Sequence, residues 1–314
     1  QSARQSSLAQ LDSKVLDIKL QIVNLWQSLF VGVRKKEISD RQIQQLANYD
    51  QQINNRITKG ATPIIERELT TSRLLQAGIE RKSVISGIDN ALLKLQALTG
   101  MQGLKAEISP EKMLIRSHDP LLRFMPPQGL EDLVSLHPAV MKAENDKTVL
   151  THRLRSMQSD QLPQLYMRVD KPLQPTSVYP NTNPSVYTGL RFSLDGGLSG
   201  LESLQAMSSR LQAAEEAVES SRLDVRQAVE SDISELNANK AKIGDATHAI
   251  KSSMDVLRSY ERQFQAGRKS WQDLLNALRE LTQNEFALAE TEAAGFAAMY
   301  RIQLRSGQRL SEVQ

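Results

Sequence analysis

The chain has 314 residues, of which 40% are hydrophobic, 24% charged and only 4% aromatic. This composition excludes a disordered tail, and the absence of cysteine excludes thiolate catalysis, cysteine-ligated zinc and iron–sulfur clusters. Its 39 Lys and Arg against 36 Asp and Glu leave a net charge of +3. Because these charges alternate along the chain, no basic patch indicates nucleic acid as a partner. The sequence contains no run of about 18 apolar residues, so it predicts no transmembrane helix.

The first segment of the chain predicts a long amphipathic helix. All 11 prolines lie between Pro63 and Pro184, which leaves the residues on either side free to form uninterrupted helices. Apolar residues before Gly32 follow the a and d spacing of a coiled coil. They are Leu8, Leu11, Val15, Ile18, Ile22, Leu25 and Leu29.

The segment from Ser199 to Phe264 has a stronger heptad pattern, in two registers offset by four residues. The first register contains Leu204, Leu211, Val218 and Val225, and the second contains Val229, Leu236, Ile243, Ile250, Leu257 and Phe264. Such an offset locally unwinds a supercoil. A helix of this extent is about 100 Å long at ~1.5 Å per residue, so it needs partner helices of similar length to bury its seam.

Four glycines indicate an internal repeat. Gly60 and Gly100 are separated by 40 positions, as are Gly267 and Gly307. Each of these glycines stands at the end of a helical pattern, where a left-handed backbone is often required. The spacing therefore predicts a helical hairpin that occurs twice, with its tip turns at Gly60 and Gly267.

Each tip glycine is followed by signals for a helix start. Thr62 with Pro63 suits an N-cap and a first helical position in the first copy. Ser270 with Asp273 forms the pattern of a capping box in the second copy. We therefore expect a long helix, a tight turn and an antiparallel return helix in each half of the chain.

Between the two helical regions, residues 161–195 alternate apolar and polar side chains. In the first run the polar set is Gln164, Tyr166, Arg168 and Asp170, and the apolar set is Leu165, Met167 and Val169. In the second run Tyr187, Gly189, Arg191 and Ser193 alternate with Val186, Thr188, Leu190, Phe192 and Leu194. Such strands are typical of a membrane β-barrel with a wet lumen, although a soluble hairpin can show the same pattern. Because lipid excludes open strand edges, a barrel would need further strands from other chains or from additional sequence.

Four segments resemble the TolC-type outer-membrane channels of Gram-negative export systems, in the order of that family. They are ITKGATPIIERELTTSRLLQAG with its LQALTG end, LEDLVSLHPAVMKAENDKTVLTHRLRSMQSDQLPQL, VYTGLRFSLDGGLSG and FQAGRKSWQDLLNALRELTQNEFALAETEAAGFAAMY. The resemblance implies a mainly α-helical fold with one β-hairpin. Long antiparallel coiled-coil helices would form a trimeric α-barrel tunnel, and strands would contribute to a shared outer-membrane β-barrel. The side chains implied to face the barrel lumen are Gln164, Tyr166, Arg168, Tyr187 and Arg191.

The resemblance also implies a division of the chain into five segments. They are a first-repeat periplasmic helical hairpin at 1–100, an equatorial segment with the helix leading to the barrel at 101–160, an outer-membrane β-hairpin at 161–196, a second-repeat periplasmic helical hairpin at 197–307 and a C-terminal tail at 308–314. A family protomer has four strands, whereas this sequence has one strand hairpin. We therefore expect an N-terminal helix and a first hairpin, roughly 100 residues by the repeat, to be missing from this chain.

A gate at the hairpin tips is a further implication of the resemblance. Asp273 matches the acidic residue that rings the constriction, and Asn276 takes the place of a second acid found in some members. Lys269 lies where the family has a gating arginine, Phe264 where it has an aromatic residue, and Glu66 where the first repeat offers a partner acid. We expect charge pairs such as Lys269 with Glu66 to tether one tip to its neighbour. The alternative is that Asp273 only caps its helix and Lys269 is a solvated charge.

These observations predict a passive homotrimeric channel of the bacterial outer membrane and periplasm, the exit duct of a tripartite efflux or type I secretion system. The implied partners are a periplasmic adaptor protein, an inner-membrane ABC or proton-driven pump and outer-membrane lipid, with no nucleic acid and no cofactor. The four histidines lack zinc-site spacing, and Asp195-Gly196-Gly197 lacks the lysine of a phosphate loop, so we expect no enzyme activity. The alternative is a soluble coiled-coil scaffold of the spectrin type.

Overall fold

The computed structural model describes residues 2–60, 63–101, 119–127, 129–160, 162–171, 184–191 and 197–307. Within these ranges the elements are α1 (Ser2–Thr58), α2 (Ile65–Thr99), α3 (Asp119–Arg123), α4 (Leu130–Ser135), α5 (Pro138–Asp160), β1 (Gln164–Asp170), β2 (Ser185–Arg191), α6 (Gly197–Gln265) and α7 (Trp271–Arg305). The predicted class, mainly helical with one β-hairpin, is confirmed. No helix in the described part of the chain is both long and apolar enough to cross a membrane.

The chain divides into two compact units, each built from two stretches of sequence. One consists of Gln1–Ser13 and Val134–Arg226, and the other of Lys14–Leu133 and Gln227–Gln314. The first contains α5 and the strand hairpin, and the second contains α2, α3 and α7. The division into five segments stays a prediction.

The repeated helical hairpin is confirmed by backbone geometry. The return helices α2 and α7 each have 35 residues. The glycines at the four helix ends have φ values of 73° at Gly60, 70° at Gly100, 70° at Gly267 and 69° at Gly307. These values lie in the left-handed region that glycine adopts at little cost, so the four glycines end their helices by the same local mechanism.

The two return helices begin differently. In α7 the predicted capping box is present: the Asp273 backbone N–H donates to Ser270 Oγ at 3.1 Å, and the Ser270 N–H donates to the Asp273 carboxylate at 3.3 Å. In α2 the N-cap is Ile64, which has no side-chain capping bond. Pro63, the predicted first helical position, lies two residues before the helix because a tight turn comes first, in which its carbonyl accepts from the Glu66 N–H at 3.2 Å. The predicted cap Thr62 lies outside the described residues.

The heptad seam of α6 is buried as the sequence predicts. The buried members are Val218, Val225, Val229, Leu236, Ile243, Leu257 and Phe264. Val225 and Val229 are separated by four residues, whereas the neighbouring steps are multiples of seven, which confirms the offset between the two registers.

In the first half of α1, the stripe that packs within the chain lies one position after the predicted seam. Its buried members are Ala9, Leu16, Val23 and Phe30. The seam residues Leu8, Leu11, Val15 and Ile18 are 51%, 59%, 41% and 42% exposed, whereas Leu29 at the end of the predicted seam is buried. This part of α1 therefore has apolar residues on two adjacent faces, and only one of the two is covered within a single chain.

In the second unit, the core that we call the tip core is formed by residues of α1, α2, α6 and α7. Its buried members are Leu46, Tyr49, Ile53, Ala77, Leu257, Phe264, Trp271, Leu274, Leu275, Ala277, Leu278 and Leu281. Since both copies of the hairpin contribute to it, the tip core joins the two repeats.

A separate cluster in the same unit holds α3 against α6 and α7. A Cβ atom added at Gly295 would come within 2.9 Å of a methyl group of Leu121, so α3 approaches α7 closely because this position has no side chain. Lys240 Nζ of α6 donates to the carbonyl of Phe124 at 2.6 Å, directly after α3. The packing and the hydrogen bond together fix the short helix.

Strands β1 and β2 form an antiparallel pair in which Tyr166 lies opposite Gly189 and Arg168 opposite Tyr187. The apolar face is strongly exposed: Leu165 is 78% exposed, Met167 70%, Val169 60%, Val186 61% and Leu190 72%. The predicted alternation of two faces is thus confirmed. The predicted strand residues Phe192 and Leu194 lie outside the described residues, as do the side chains of Gln164 and Arg191.

Candidate functional site

The candidate site is formed by the two hairpin tips, where α1 turns into α2 and α6 turns into α7. Both turns belong to the second unit, and both contain a glycine with a left-handed backbone. The tip core fixes the four helix ends that meet there. The geometry of this region therefore depends on residues from both repeats.

Trp271, the first residue of α7, connects the tips. Its indole N–H donates to Thr70 Oγ1 of α2 at 2.7 Å. Its ring centroid lies 5.5 Å from that of Tyr49 in α1 and 4.9 Å from that of Phe264 in α6. Trp271 is 1% exposed and Thr70 0% exposed, so water does not compete for the hydrogen bond. One side chain thus touches all three other helices of the bundle.

Thr70 extends this connection to Glu66, one turn earlier in α2. Its hydroxyl donates to the Glu66 carbonyl at 2.8 Å. Partial burial raises the pKa of the Glu66 carboxyl, and the positive charge of Arg56 acts in the opposite direction. The Arg56 guanidinium lies 4.3 Å from the ring centre of Phe264, an arrangement suited to a cation–π interaction.

Lys269 and Asp273 lie at the partly exposed start of α7. Lys269 Nζ is 3.7 Å from the Asp273 carboxylate and 4.3 Å from the ring centre of Tyr260. The hydrogen bond from the Ser270 side chain lowers the pKa of Asp273, and Lys269 lowers it further. Asp273 therefore caps α7 and pairs with a cation at the same time.

The other predicted gate residues occupy different environments. Phe264 is 7% exposed and packs on Trp271, whereas Glu66 and Asn276 are half-buried. Within one chain Lys269 contacts Asp273 and Tyr260, so its tether to Glu66 stays a prediction, as does the gate itself.

Sequence reasoning missed Trp271 and a polar contact close to it. Tyr49 Oη donates to Glu261 Oε1 at 2.5 Å, and Gln45 donates to the same oxygen at 3.0 Å. Burial raises the pKa of the Tyr49 hydroxyl, and the hydrogen bond with Glu261 raises it further. Two features of the sequence could have pointed to Trp271. It is one of only two tryptophans in the chain, and it directly follows the predicted cap residue Ser270.

An ion network joins α6 to α7 in the same unit. Arg301 donates to Asp232 and to Glu235, each at 2.6 Å, and Arg305 donates to Asp232 at 3.0 Å. The side chains of Asp232 and Arg301 are 9% and 12% exposed. The network therefore has a structural role in holding the two helices together. Among the described residues, no group of three or more His, Asp or Glu side chains is arranged to hold a metal ion.

The polar face of the strand hairpin carries two tyrosines and an arginine. A Cβ atom at Gly189 would come within 2.8 Å of Tyr166 Oη, so the Tyr166 ring lies over the glycine on the neighbouring strand. Arg168 Nε donates to Asp170 at 2.8 Å. The orientation of this face towards a lumen stays a prediction.

Comparisons with known proteins place this geometry in context. No protein-family model matches the chain, and no curated protein matches its sequence. Several solved structures do match its structure. The Campylobacter jejuni CmeC outer membrane channel has a TM-score of 0.81 at 11% identity, and the match covers 98% of this chain and 66% of that one.

The outer membrane protein VceC from Vibrio cholerae has a TM-score of 0.79 at 14% identity, over 98% of this chain and 74% of that one. The Neisseria gonorrhoeae MtrE outer membrane channel, in its open state, has a TM-score of 0.74 at 13% identity, over 98% of this chain and 70% of that one. The likeness therefore extends over both helical hairpins and the strand hairpin. The chain has the fold of the TolC-type outer-membrane channels.

Proposed function

We propose that this chain is one protomer of a passive channel in the bacterial outer membrane, with its helices in the periplasm. The observation that carries the proposal is the structural likeness over 98% of the chain to CmeC and MtrE, which are described as outer membrane channels. A channel performs no bond chemistry, and the side chains at the hairpin tips are suited to contacts between helices.

The strand hairpin supports a position in the membrane. Its apolar face carries five large side chains that are 60–78% exposed, which is unfavourable in water and favourable in lipid. Its opposite face carries Tyr166, Arg168 and Tyr187, which suit a wet lumen. Since lipid excludes open strand edges, the hairpin would join strands of other copies to close a barrel.

The exposed seam of α1 supports assembly into a homotrimer. Leu8, Leu11, Val15 and Ile18 form an apolar stripe outside the chain's own core, and helices of a neighbouring copy would cover it. The trimer would work with a periplasmic adaptor protein and an inner-membrane ABC or proton-driven pump, as an exit duct for efflux or type I secretion. The pump would supply the energy of transport.

The test is to purify the protein from outer membranes and measure its mass and conductance. We expect extraction only with detergent, a trimer by light scattering, and defined current steps in planar lipid bilayers. A freely soluble monomer without conductance would contradict the proposal and favour the coiled-coil scaffold.

A pair of neighbouring variants tests the orientation of the hairpin. Val186→Glu places a charge on the apolar face, whereas Tyr187→Glu places the same charge on the polar face, opposite Arg168. We expect Val186→Glu to prevent insertion into the outer membrane and Tyr187→Glu to permit it. Equal insertion of the two variants would argue against a lipid-facing surface.

A further inference from the structure

Three exposed arginines lie at nearly one level of the first unit, on the helices next to the strand hairpin. Arg153 and Arg155 belong to α5 and Arg210 to α6. Two ion pairs align these helices as antiparallel neighbours. Counted towards the hairpin from the pair of Lys147 and Glu215, the arginines are six, eight and five residues away. Their levels therefore differ by no more than about 5 Å at 1.5 Å per residue. We call them the belt arginines.

Farther from the hairpin, the charged side chains of the same two helices are largely paired. Lys147 lies 3.4 Å from Glu215. Arg222 lies 2.7 Å from Glu144 and 2.9 Å from Glu219. The cations in that part of the unit therefore have acids of the same chain as partners.

The belt arginines have no acid near them on either helix. Residues 148–159 of α5 and 203–214 of α6 contain no Asp or Glu. In the part of the chain that the structure describes, none of the three side chains forms an ion pair or a hydrogen bond. Unpaired guanidinium groups on an exposed surface are available to an anion from outside the chain. Their planar arrangement of N–H donors matches a phosphate group.

Exposed apolar side chains follow the belt arginines on the side of the hairpin. Leu162, between α5 and β1, is 64% exposed, and Leu165 in β1 is 78% exposed. Only seven positions separate Arg155 from Leu162, and long arginine side chains near a membrane boundary extend towards the headgroups. The order along the unit is thus apolar surface, unpaired arginines and paired charges. A protein surface that passes from acyl chains through headgroups into water has the same order.

We propose that the belt arginines bind the phosphate groups of anionic phospholipids at the surface of the membrane that the strand hairpin enters. The inference rests on the proposed channel function and adds a lipid-binding surface on its helices. The absence of acids at this level serves the same purpose, because carboxylates would repel the phosphates. The ligand is the lipid headgroup and not free phosphate, since the neighbouring apolar surface takes the acyl chains.

Lipid titration of the purified protein in detergent tests the proposal. Native mass spectrometry measures the dissociation constants of phosphatidylglycerol, which is anionic, and phosphatidylcholine, which is zwitterionic. The test variant combines Arg153→Gln, Arg155→Gln and Arg210→Gln. We expect the preference for phosphatidylglycerol, the ratio of the two constants, to fall about fivefold for each arginine removed. Lysine at the same three positions keeps the charge and should keep most of the preference.

A matched variant controls for the loss of three positive charges. It combines Arg67→Gln, Arg258→Gln and Arg279→Gln in the second unit, where these arginines are also exposed and, among the described residues, unpaired. We expect its lipid preference to equal that of the unmodified protein. An equal loss in both triple variants would overturn the proposal, because net charge would then explain it. Displacement of the lipid by an equal concentration of inorganic phosphate would also overturn it.

Bilayer recordings distinguish failure of this inference from failure of the channel function. If the belt arginines face the aqueous lumen, their replacement by glutamine changes the anion selectivity of the current and leaves the lipid preference unchanged. That result would overturn the headgroup site while the channel function stands. A freely soluble monomer that neither conducts nor binds lipid would overturn both. Both triple variants should melt within a few degrees of the unmodified protein, because substitutions at exposed unpaired residues change stability little.

Discussion

Lys269 and Asp273 form an ion pair at the start of α7, with 3.7 Å between the ammonium nitrogen and the carboxylate. The same carboxylate accepts hydrogen bonds from the backbone and the side chain of Ser270. The pairing role and the capping role of Asp273 therefore coincide at one side chain. Substitutions at the two positions separate these roles, because Lys269 has no part in the cap.

In the proposed channel, we expect Lys269→Ala to raise the conductance of the closed state without a measurable change in melting temperature, because the pair is partly exposed. Asp273→Ala should raise conductance and also lower the melting temperature, since it removes the cap as well. Bilayer recordings and thermal unfolding measure the two effects separately. Unchanged conductance in both variants would remove this pair from the gate.

Glu66 makes the folding stability at the first hairpin tip depend on pH. Because burial raises its carboxyl pKa above the ordinary value of 4.5, the folded chain binds the proton more tightly than the unfolded chain. This contribution to stability is fully present below pH 4.5, and it is lost as pH rises through the pKa of the folded state.

Glu66→Gln mimics the protonated side chain. We expect the variant to melt at a higher temperature than the unmodified protein at pH 7, and the difference to disappear below the ordinary pKa of glutamate. Glu68→Gln, an exposed residue in the same turn, controls for the loss of charge near the helix start. A lower melting temperature of Glu66→Gln at pH 7 would mean that attraction to Arg56 outweighs burial.

Gly267 tests the requirement for a left-handed backbone at the second tip. It has φ of 70°, and a Cβ atom there would meet no atom within 4 Å, so any cost of Gly267→Ala comes from the backbone. We expect a loss of about 1–2 kcal/mol in the free energy of unfolding. Gly244→Ala, inside α6 and equally free of contacts, should instead gain about 0.5–1 kcal/mol. Urea unfolding of both variants measures the contrast, and a gain for Gly267→Ala would contradict the assignment.

A substitution in the buried ion network should lower the free energy of unfolding far more than a substitution in an exposed ion pair. Asp232→Ala leaves Arg301 and Arg305 without their shared carboxylate, and we expect a loss of about 3 kcal/mol in the free energy of unfolding. Glu144→Ala is the control, because Glu144 pairs with Arg222 at a site where the two side chains are 47% and 40% exposed. Chemical unfolding compares the two variants, and similar small losses would show that burial does not strengthen the network.

The features that the sequence predicts well are local ones. The four-residue offset between Val225 and Val229 can be predicted from the heptads, because buried positions on a helix recur with the helical period. The left-handed glycines can be predicted because the preference for that backbone belongs to the residue itself. The position of Pro63 relative to the start of α2 is less predictable, because residues after a proline can form either a short turn or the first turn of a helix.

The features that the sequence does not predict depend on partners distant in the chain. The contact of Trp271 with Thr70 joins two repeats, and no periodicity encodes that pairing. The same holds for Asp232 with Arg301, which lie on different helices. In α1 the apolar residues Leu8 and Ala9 lie on adjacent faces. Which of the two faces is buried within the chain depends on the helices that pack against it.

The unequal helix starts have a mechanical consequence. α7 begins with two reciprocal bonds between Ser270 and Asp273, whereas α2 begins at Ile64 with no side-chain cap. The second tip is therefore stiff by itself, and the first depends on its neighbour for its rigidity. Each chain thus has one firm and one compliant hairpin tip. We expect amide hydrogen exchange to be faster in the first turn of α2 than in that of α7. Movement in this unit would then begin in the uncapped turn of the first repeat and reach the second repeat through the packed residues of the tip core.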